Sequence, residues 1–258
     1  MTGLAASTEL TVELGDDHVA TLEINRPPSN YFSPDLIAQI AAACEDLADR
    51  DCRAVVLCSA GRVFCAGADF SGPPRLSDQS GQHLYDFAQR LFEQPLPVVA
   101  AIQGAAVGGG LGLALAADFR VASPQARFAA NFALLGIHQG FALTVTLPAA
   151  IGQQAALEML YTGRRVTGEE ARALGLADEL AEPGSERRQA HALAARIAAA
   201  APLAVRSIRQ TMRAPLVAQT RAAMERERTE QERLMQTADW REGLAAVRDR
   251  RPASFTGE

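Results

Sequence analysis

The chain has 258 residues, 48% of them hydrophobic and 21% charged, enough apolar material for one large core or two small ones and too ordered a composition for a disordered or collagen-like chain. Its formal charge of -5 leaves no electrostatic footprint for DNA, RNA or an anionic membrane, so a small-molecule client is expected. All 25 basic residues are arginine, which excludes Schiff-base chemistry, a pyridoxal lysine and a Walker-type phosphate loop, because each needs a lysine amine.

At the amino terminus, MTGLAASTEL has neither the basic nor the apolar stretch of a secretory signal, and a cytoplasmic location is expected. Two strands, Leu10 to Leu14 and Val19 to Ile24, precede a helix that begins SPDLIAQIAAACEDLADR. Ser33 is placed to cap that helix, and Pro34 occupies its first turn, where the missing N–H costs nothing. Leu36, Ile37, Ile40, Cys44 and Leu47 recur at helical spacing and define one apolar face. A short apolar run, Ala54 to Cys58, a helix around Gln82 to Glu93 and a second apolar run, Val98 to Ile102, follow. Strands alternating with helices predict parallel βαβ units. Cys44, Cys52, Cys58 and Cys65 lack CxxC pairing and are expected to be buried, reduced thiols rather than a disulfide or metal site.

Gln94 to Ala117 contains no charged residue, and Gly104, Gly108 and Gly112 stand at small-xxx-small spacing, a pattern shared with membrane helices. Pro95, Pro97, Gln103 and the triplet Gly108 to Gly110 argue instead for a buried strand, a glycine-rich turn and a buried helix, with no membrane contact. Phe119 to Ala122 predicts another strand. Thr167 and Glu170 form a capping-box pattern for GEEARALG, which Gly175 ends. Beyond Pro183 the chain reads as helices with breaks near Pro202, Pro215 and Thr237, and the last, from Met224, mixes Arg and Glu as a solvated face or a subunit contact does.

Two glycine-containing segments carry the chemical signal. FCAGADF follows the strand from Ala54, GAAVGGGLGLALAAD follows the strand from Val98, and the carboxyl ends of parallel strands are where open α/β sheets bind ligands. Small residues there admit a ligand to backbone N–H groups, and a helix starting near Gly109 adds its positive end. Two such donors aimed at one point stabilise an oxyanion. A dinucleotide fingerprint is excluded because its third glycine position is Leu113, and neither GKS nor GKT follows. Each segment alone is also compatible with glycine used only for close packing.

Taken together and in order, the segments resemble the enoyl-CoA hydratase/isomerase (crotonase) superfamily. The resemblance includes NRPPSNYFSPDL, VVLCSAGRVFCAGADF, PVVAAIQGAAVGGGLGLALAADFRVAS, FAANFALLGI, GQQAALEMLYTGRRVTGEEARALGLADEL and the terminal RPASFTG, and so spans almost the whole chain. It implies an α/β fold, a crotonase-like ββα spiral core over residues 1–200 with a helical carboxyl-terminal trimerisation region over 201–258, the two forming one continuous family domain. It further implies an acyl-CoA ligand, with coenzyme A as part of the substrate and no separate cofactor or metal, and a homotrimer or homohexamer. The thioester-holding N–H groups map to Ala68 and Gly109, and the surrounding binding positions to Ser29, Tyr31, Ala66, Gly67, Asp69, Phe70 and Gly108; Asp69 is equally readable as a structural cap.

The chain departs from the hydratase pattern at its acids. Hydratases of the superfamily use two glutamates, one just after the glycine triplet and one twenty residues later; those positions are Gly112 and Phe132 here. No Asp or Glu occurs from Phe119 through Leu157. General acid–base catalysis needs a titratable group within reach of its proton, so ordinary enoyl-CoA hydration is not expected. His138, in LLGIHQG, is the candidate replacement, and its alternative is a loop histidine that only bonds backbone. His83 and Tyr85 are open between the acyl pocket and, respectively, a surface histidine and a packed tyrosine; Cys65 is a buried thiol beside the first loop. Phe132 makes the acyl pocket apolar and predicts tighter binding of bulky acyl-CoAs than of crotonyl-CoA. Two functions remain open: an enzyme acting on an acyl-CoA without the glutamate pair, and a non-catalytic acyl-CoA carrier or pathway partner.

Overall fold

The computed structural model describes residues 8–70, 72 and 74–258. Residues 1–7, which include most of the stretch read for a signal pattern, lie outside them. The elements run β1 (Leu10–Leu14), β2 (Val19–Ile24), α1 (Pro34–Ala48), β3 (Ala54–Ser59), α2 (Leu84–Glu93), β4 (Val98–Ile102) and β5 (Ala105–Val107). They continue with α3 (Gly109–Ala116), β6 (Phe119–Ala122), β7 (Arg127–Ala129), a 3-10 turn at Ala133–Leu135, α4 (Leu143–Ile151), α5 (Gln153–Thr162) and β8 (Arg165–Thr167). The last are α6 (Gly168–Leu174), β9 (Glu179–Leu180), α7 (Glu186–Ala198), α8 (Pro202–Leu234) and α9 (Ala238–Asp249).

The main sheet has the order β1-β2-β3-β4-β6-β9, with β1 antiparallel to β2 and the remaining neighbours parallel. Alternation along β3 divides the core. Val55 and Leu57 point to the side covered by α1 and α2, while Ala54, Val56 and Cys58 point to the other. On that second face α7 presents Ala190, Ala194 and Ala198 at four-residue spacing, and these small side chains let the helix lie close to the sheet. A second sheet, β5-β7-β8, consists of three-residue strands. Such short strands leave no periodic signal, which is why the sequence did not reveal them.

Ser33 accepts a hydrogen bond from Leu36 N–H at 3.2 Å and so caps α1 as expected. Gly175 ends α6 in the left-handed conformation, φ 86°. The capping box expected there is only half formed: Thr167 accepts from Glu170 N–H, but the Glu170 carboxylate turns to Arg164 at 2.6 Å. A stronger charged partner displaced the backbone N–H. The two-way arrangement occurs instead on α2, where His83 Nδ1 accepts from Tyr85 N–H and Asp86 accepts from His83 N–H. Likewise, Pro215 does not break the carboxyl-terminal helix; α8 runs through it for 33 residues.

Tertiary anchoring holds that long helix. Asp118 receives Val98 N–H at 2.8 Å, Arg209 Nε at 2.9 Å and Arg213 Nη1 at 2.8 Å, which joins the starts of β4 and β6 to α8. Met224 of α8 and Trp240 of α9 lie within the main apolar core, so the carboxyl-terminal helices pack into the body of the molecule, and Gln231 of α8 lines its cavity. The uncharged stretch from Gln94 resolves into β4, β5 and α3, and among the described residues no helix is long and apolar enough to cross a membrane.

Candidate functional site

The site is built first from backbone. Asn30 is fully buried and donates through Nδ2 to the carbonyls of Ala60 and Val63, at 2.7 and 2.6 Å, which fastens the loop after β2 to the loop after β3. Ala66 N–H donates to Ser29 O and Phe32 N–H to Gly67 O, both at 3.0 Å. On the opposite side Cys65 N–H donates to Ala105 O and Val107 N–H to Cys65 O. Residues 65–68 are therefore strung between the loop after β2 and the strand β5. A Cβ on Gly110 would stand 2.1 Å from Cys65 O, so the two segments can approach this closely only with glycine there. Gly67, at φ 89°, brings the first loop against the second: a Cβ there would stand 3.0 Å from Val107 O and 3.2 Å from Gly109 N. Ala68 and Gly109 line the same cavity, and among the described residues neither N–H donates to a backbone carbonyl.

These loops floor an open cavity. Of the residues read from sequence, Ala66, Gly67, Ala68, Phe70, Gly108, Gly109 and Phe132 line it. Ser29, Tyr31, Asp69 and His138 do not: Ser29 supplies the carbonyl for Ala66, Phe32 rather than Tyr31 turns its ring to the cavity, and Asp69 is exposed. His138 sits behind the lining. Its Nδ1 is 2.8 Å from Gln139 O, and its own carbonyl accepts from Gln231 Nε2 at 3.0 Å.

The wall opposite the loops comes from residues the sequence did not single out. Asn131, Leu135, Gly140, Phe141 and Gln231 line it, with Leu76 and Leu84. Phe141 packs against Phe32 with ring centroids 5.4 Å apart, and Phe70 meets Trp240 edge-on at 5.2 Å. Phe141 also explains the first missing acid. A Cβ on Gly112 would fall 2.5 Å from Phe141 Cβ and 2.8 Å from Phe141 O, so the room that a side chain would need is already filled. The second missing acid, at Phe132, is an aromatic ring whose Cζ lies 3.7 Å from where a Gly108 Cβ would be.

Tyr85 is the titratable side chain that does line the cavity among the described residues. Its hydroxyl donates to Gln231 Oε1 at 2.7 Å, and burial pushes its pKa up, with the nearby Glu227 adding to the rise. It is consequently a neutral hydrogen-bonding group rather than a base near pH 7. His83 is neither a surface residue nor a cavity residue; it is buried, caps α2 and packs edge-on against Tyr85, and burial lowers its pKa. All four cysteines are free and buried, and desolvation raises the Cys65 thiol to about 12, so it is no nucleophile.

A parallel-stranded α/β fold with two glycine loops meeting at one end of its sheet defines the crotonase class. The solved enoyl-CoA hydratase/isomerase from Pseudoalteromonas atlantica superposes with a TM-score of 0.88 at 30% identity, covering 96% of this chain and all of that one. The profile of the enoyl-CoA hydratase/isomerase family matches residues 15–258, and the chain belongs to that family. A putative enoyl-CoA hydratase/isomerase of Bacillus subtilis is 34% identical across 94% of this chain and 96% of its own length. The (E)-benzylidenesuccinyl-CoA hydratase of Thauera aromatica is 37% identical across 78% of this chain and 80% of its own.

Proposed function

We propose that the protein binds an acyl-CoA thioester and polarises its carbonyl through the backbone N–H groups of Ala68 and Gly109. What supports this reading is that Ala68 and Gly109 both line one apolar cavity, neither N–H donates to a backbone carbonyl, and Gly109 opens α3. Fixed donors aimed where negative charge develops lower the energy of an enolate or tetrahedral oxyanion, and the helix end adds to them. Coenzyme A enters as part of the substrate, and the reading needs no other cofactor.

The reaction is not ordinary hydration of a small enoyl-CoA. Gly112 is filled over by Phe141, and Phe132 carries no proton, so neither position supplies the acid and base that hydration uses. The proton-moving role proposed for His138 requires its imidazole to reach the cavity from outside the lining, since only its carbonyl is tied to the wall, through Gln231; Tyr85 lines the wall, but its hydroxyl proton is already donated to Gln231 Oε1. The packing of Phe141 over Gly112 equally favours a second reading, an acyl-CoA carrier that retains binding without turnover. Four phenylalanines, Phe32, Phe70, Phe132 and Phe141, line the cavity and suit a bulky or aromatic acyl group. The name of the Thauera aromatica relative, which carries a benzylidene group, agrees with that preference.

Exposed Leu203, Ile208 and Met212 on α8 support self-association as a homotrimer or homohexamer, and four reduced, buried thiols support a cytoplasmic location. The chemistry is tested by mass spectrometry of saturated, unsaturated and aromatic acyl-CoAs incubated with the purified protein, crotonyl-CoA included. A mass change or CoA release with a bulky thioester, abolished by His138→Ala, is the expected result. Rapid hydration of crotonyl-CoA contradicts the reading of Gly112 and Phe132, and tight binding without any change in mass establishes the carrier.

A further inference from the structure

Helix α4 begins without a cap of its own. Its first flanking residue, Ala142, has no side chain that can accept, and both Phe141 and Ala142 hold left-handed backbone conformations, φ 59° and 61°. Residues with a Cβ adopt that region at a cost, and two in succession need an outside restraint. The restraint is Glu227, brought by α8 from 85 residues away and fully buried. One carboxylate oxygen accepts from Ala142 N–H at 2.8 Å; the other accepts from Thr144 N–H at 2.9 Å and from Thr144 Oγ1 at 2.6 Å. Glu227 therefore caps α4 across the fold, as an aspartate or serine would locally.

One helical turn further along α8, Gln231 donates to His138 O and accepts from the Tyr85 hydroxyl. Residues 138–144 are thus stitched to α8 at both ends, with Gly140 and Phe141 between the stitches and facing the cavity. Gly140 allows this closeness, since a Cβ there would stand 1.9 Å from Tyr85 Oη and 2.6 Å from Gln231 Nε2. The position of the Phe141 ring, and with it the space left above Gly112, follows from how the turn behind it is held.

We infer that Glu227 is a specificity-determining positioning residue: by clamping the Phe141–Ala142 turn it fixes the wall of the acyl cavity and so selects which acyl groups fit. This rests on the acyl-CoA reading of the cavity. Glu227 does not line the cavity and acts only through Phe141. Glu227→Gln keeps the volume and one acceptor but turns an NH2 toward a backbone N–H that needs an acceptor. The turn then relaxes, and Phe141 no longer discriminates.

The test measures affinities of free CoA, crotonyl-CoA and benzoyl-CoA by calorimetry for the wild type, Glu227→Gln, Thr144→Val and Glu225→Gln. The last is an exposed control on the same helix. For Glu227→Gln the expected result is a drop of about tenfold in the ratio of benzoyl-CoA to crotonyl-CoA affinity, the loss of one hydrogen bond to a charged group, with free CoA unchanged. Thr144→Val, which removes only the hydroxyl leg, is expected to move the ratio the same way by about threefold, and covers the case in which Glu227→Gln does not fold. A ratio unchanged in the folded variants overturns the assignment while leaving the acyl-CoA reading intact. A wild type that binds none of the thioesters overturns that reading and the assignment with it.

Discussion

The cavity has two halves of different origin. Its floor, residues 65–68 and 108–110, is made of backbone held by backbone: short loops at strand ends, pinned by Asn30, Ser29 and β5, and dependent on glycine where chains touch. Part of its wall, Gly140 and Phe141, belongs to the segment 138–144, whose backbone is held by side chains from α8, a helix that begins more than fifty residues later. The floor includes Ala68 and Gly109, the residues whose N–H groups are proposed to hold the thioester carbonyl. The wall presents the Phe141 ring beside a turn held by a buried carboxylate and an amide.

The largest expected effect strikes the floor. Gly110→Val sets a side chain against the Cys65 backbone carbonyl and is expected to cost more than about 3 kcal/mol in urea unfolding, since neither loop has room to yield. A value near zero would show that the two loops are not locked together. Next comes the boundary between the halves. Gly112→Glu reinstates the hydratase residue but meets Phe141, and the expected outcome is a loss of about 2 kcal/mol with no crotonyl-CoA hydration. Gain of hydration would mean that the wall moves aside easily.

The wall has its own signature in pH. Burial raises Glu227 from 4.5 to about 7, against the lowering effect of its bonds to Thr144 and Ala142. A carboxyl raised on folding binds its proton more tightly in the native state, so its contribution to stability is full below about pH 4.5 and is lost as pH rises through 7. The wild type is therefore expected to lose about 2 kcal/mol from this group between pH 5 and pH 8. Glu227→Gln should lack that slope when both are unfolded in denaturant across the range; parallel curves would show that the carboxyl is not so buried. The smallest effect is Tyr85→Phe, which leaves Gln231 Oε1 without its donor. It is expected to cost about 1 kcal/mol and to weaken acyl-CoA binding while leaving free CoA alone.

The same division decides what the sequence disclosed. Strand and helix ends with local causes were readable: Ser33 and Pro34 at α1, Gly175 after α6, the apolar runs of β3 and β4, and the glycines of both loops, because cap, turn and close approach each demand particular residues within a few positions. The wall was not readable. Glu227 and Gln231 lie among alternating Arg and Glu that read as a solvated face or a subunit contact, and their partners are 83 to 146 residues distant. His138 drew attention as a titratable residue in the right loop, yet the structure turns Gly140 and Phe141 to the cavity and ties His138 down by its carbonyl. Pro215 was read as a break because propensity is local; the anchoring of Arg209 and Arg213 on Asp118 carries α8 through it.

The central claim, that Ala68 and Gly109 hold the thioester oxygen, is tested most directly by vibrational spectroscopy of an acyl-CoA labelled with carbon-13 at its thioester carbonyl. Bound to the wild type, the labelled C=O stretch is expected at lower frequency than in water, as two aligned donors polarise the bond, and the shift should persist in Tyr85→Phe because that substitution touches only the wall. A ligand that binds with its carbonyl stretch unchanged from water would contradict the claim.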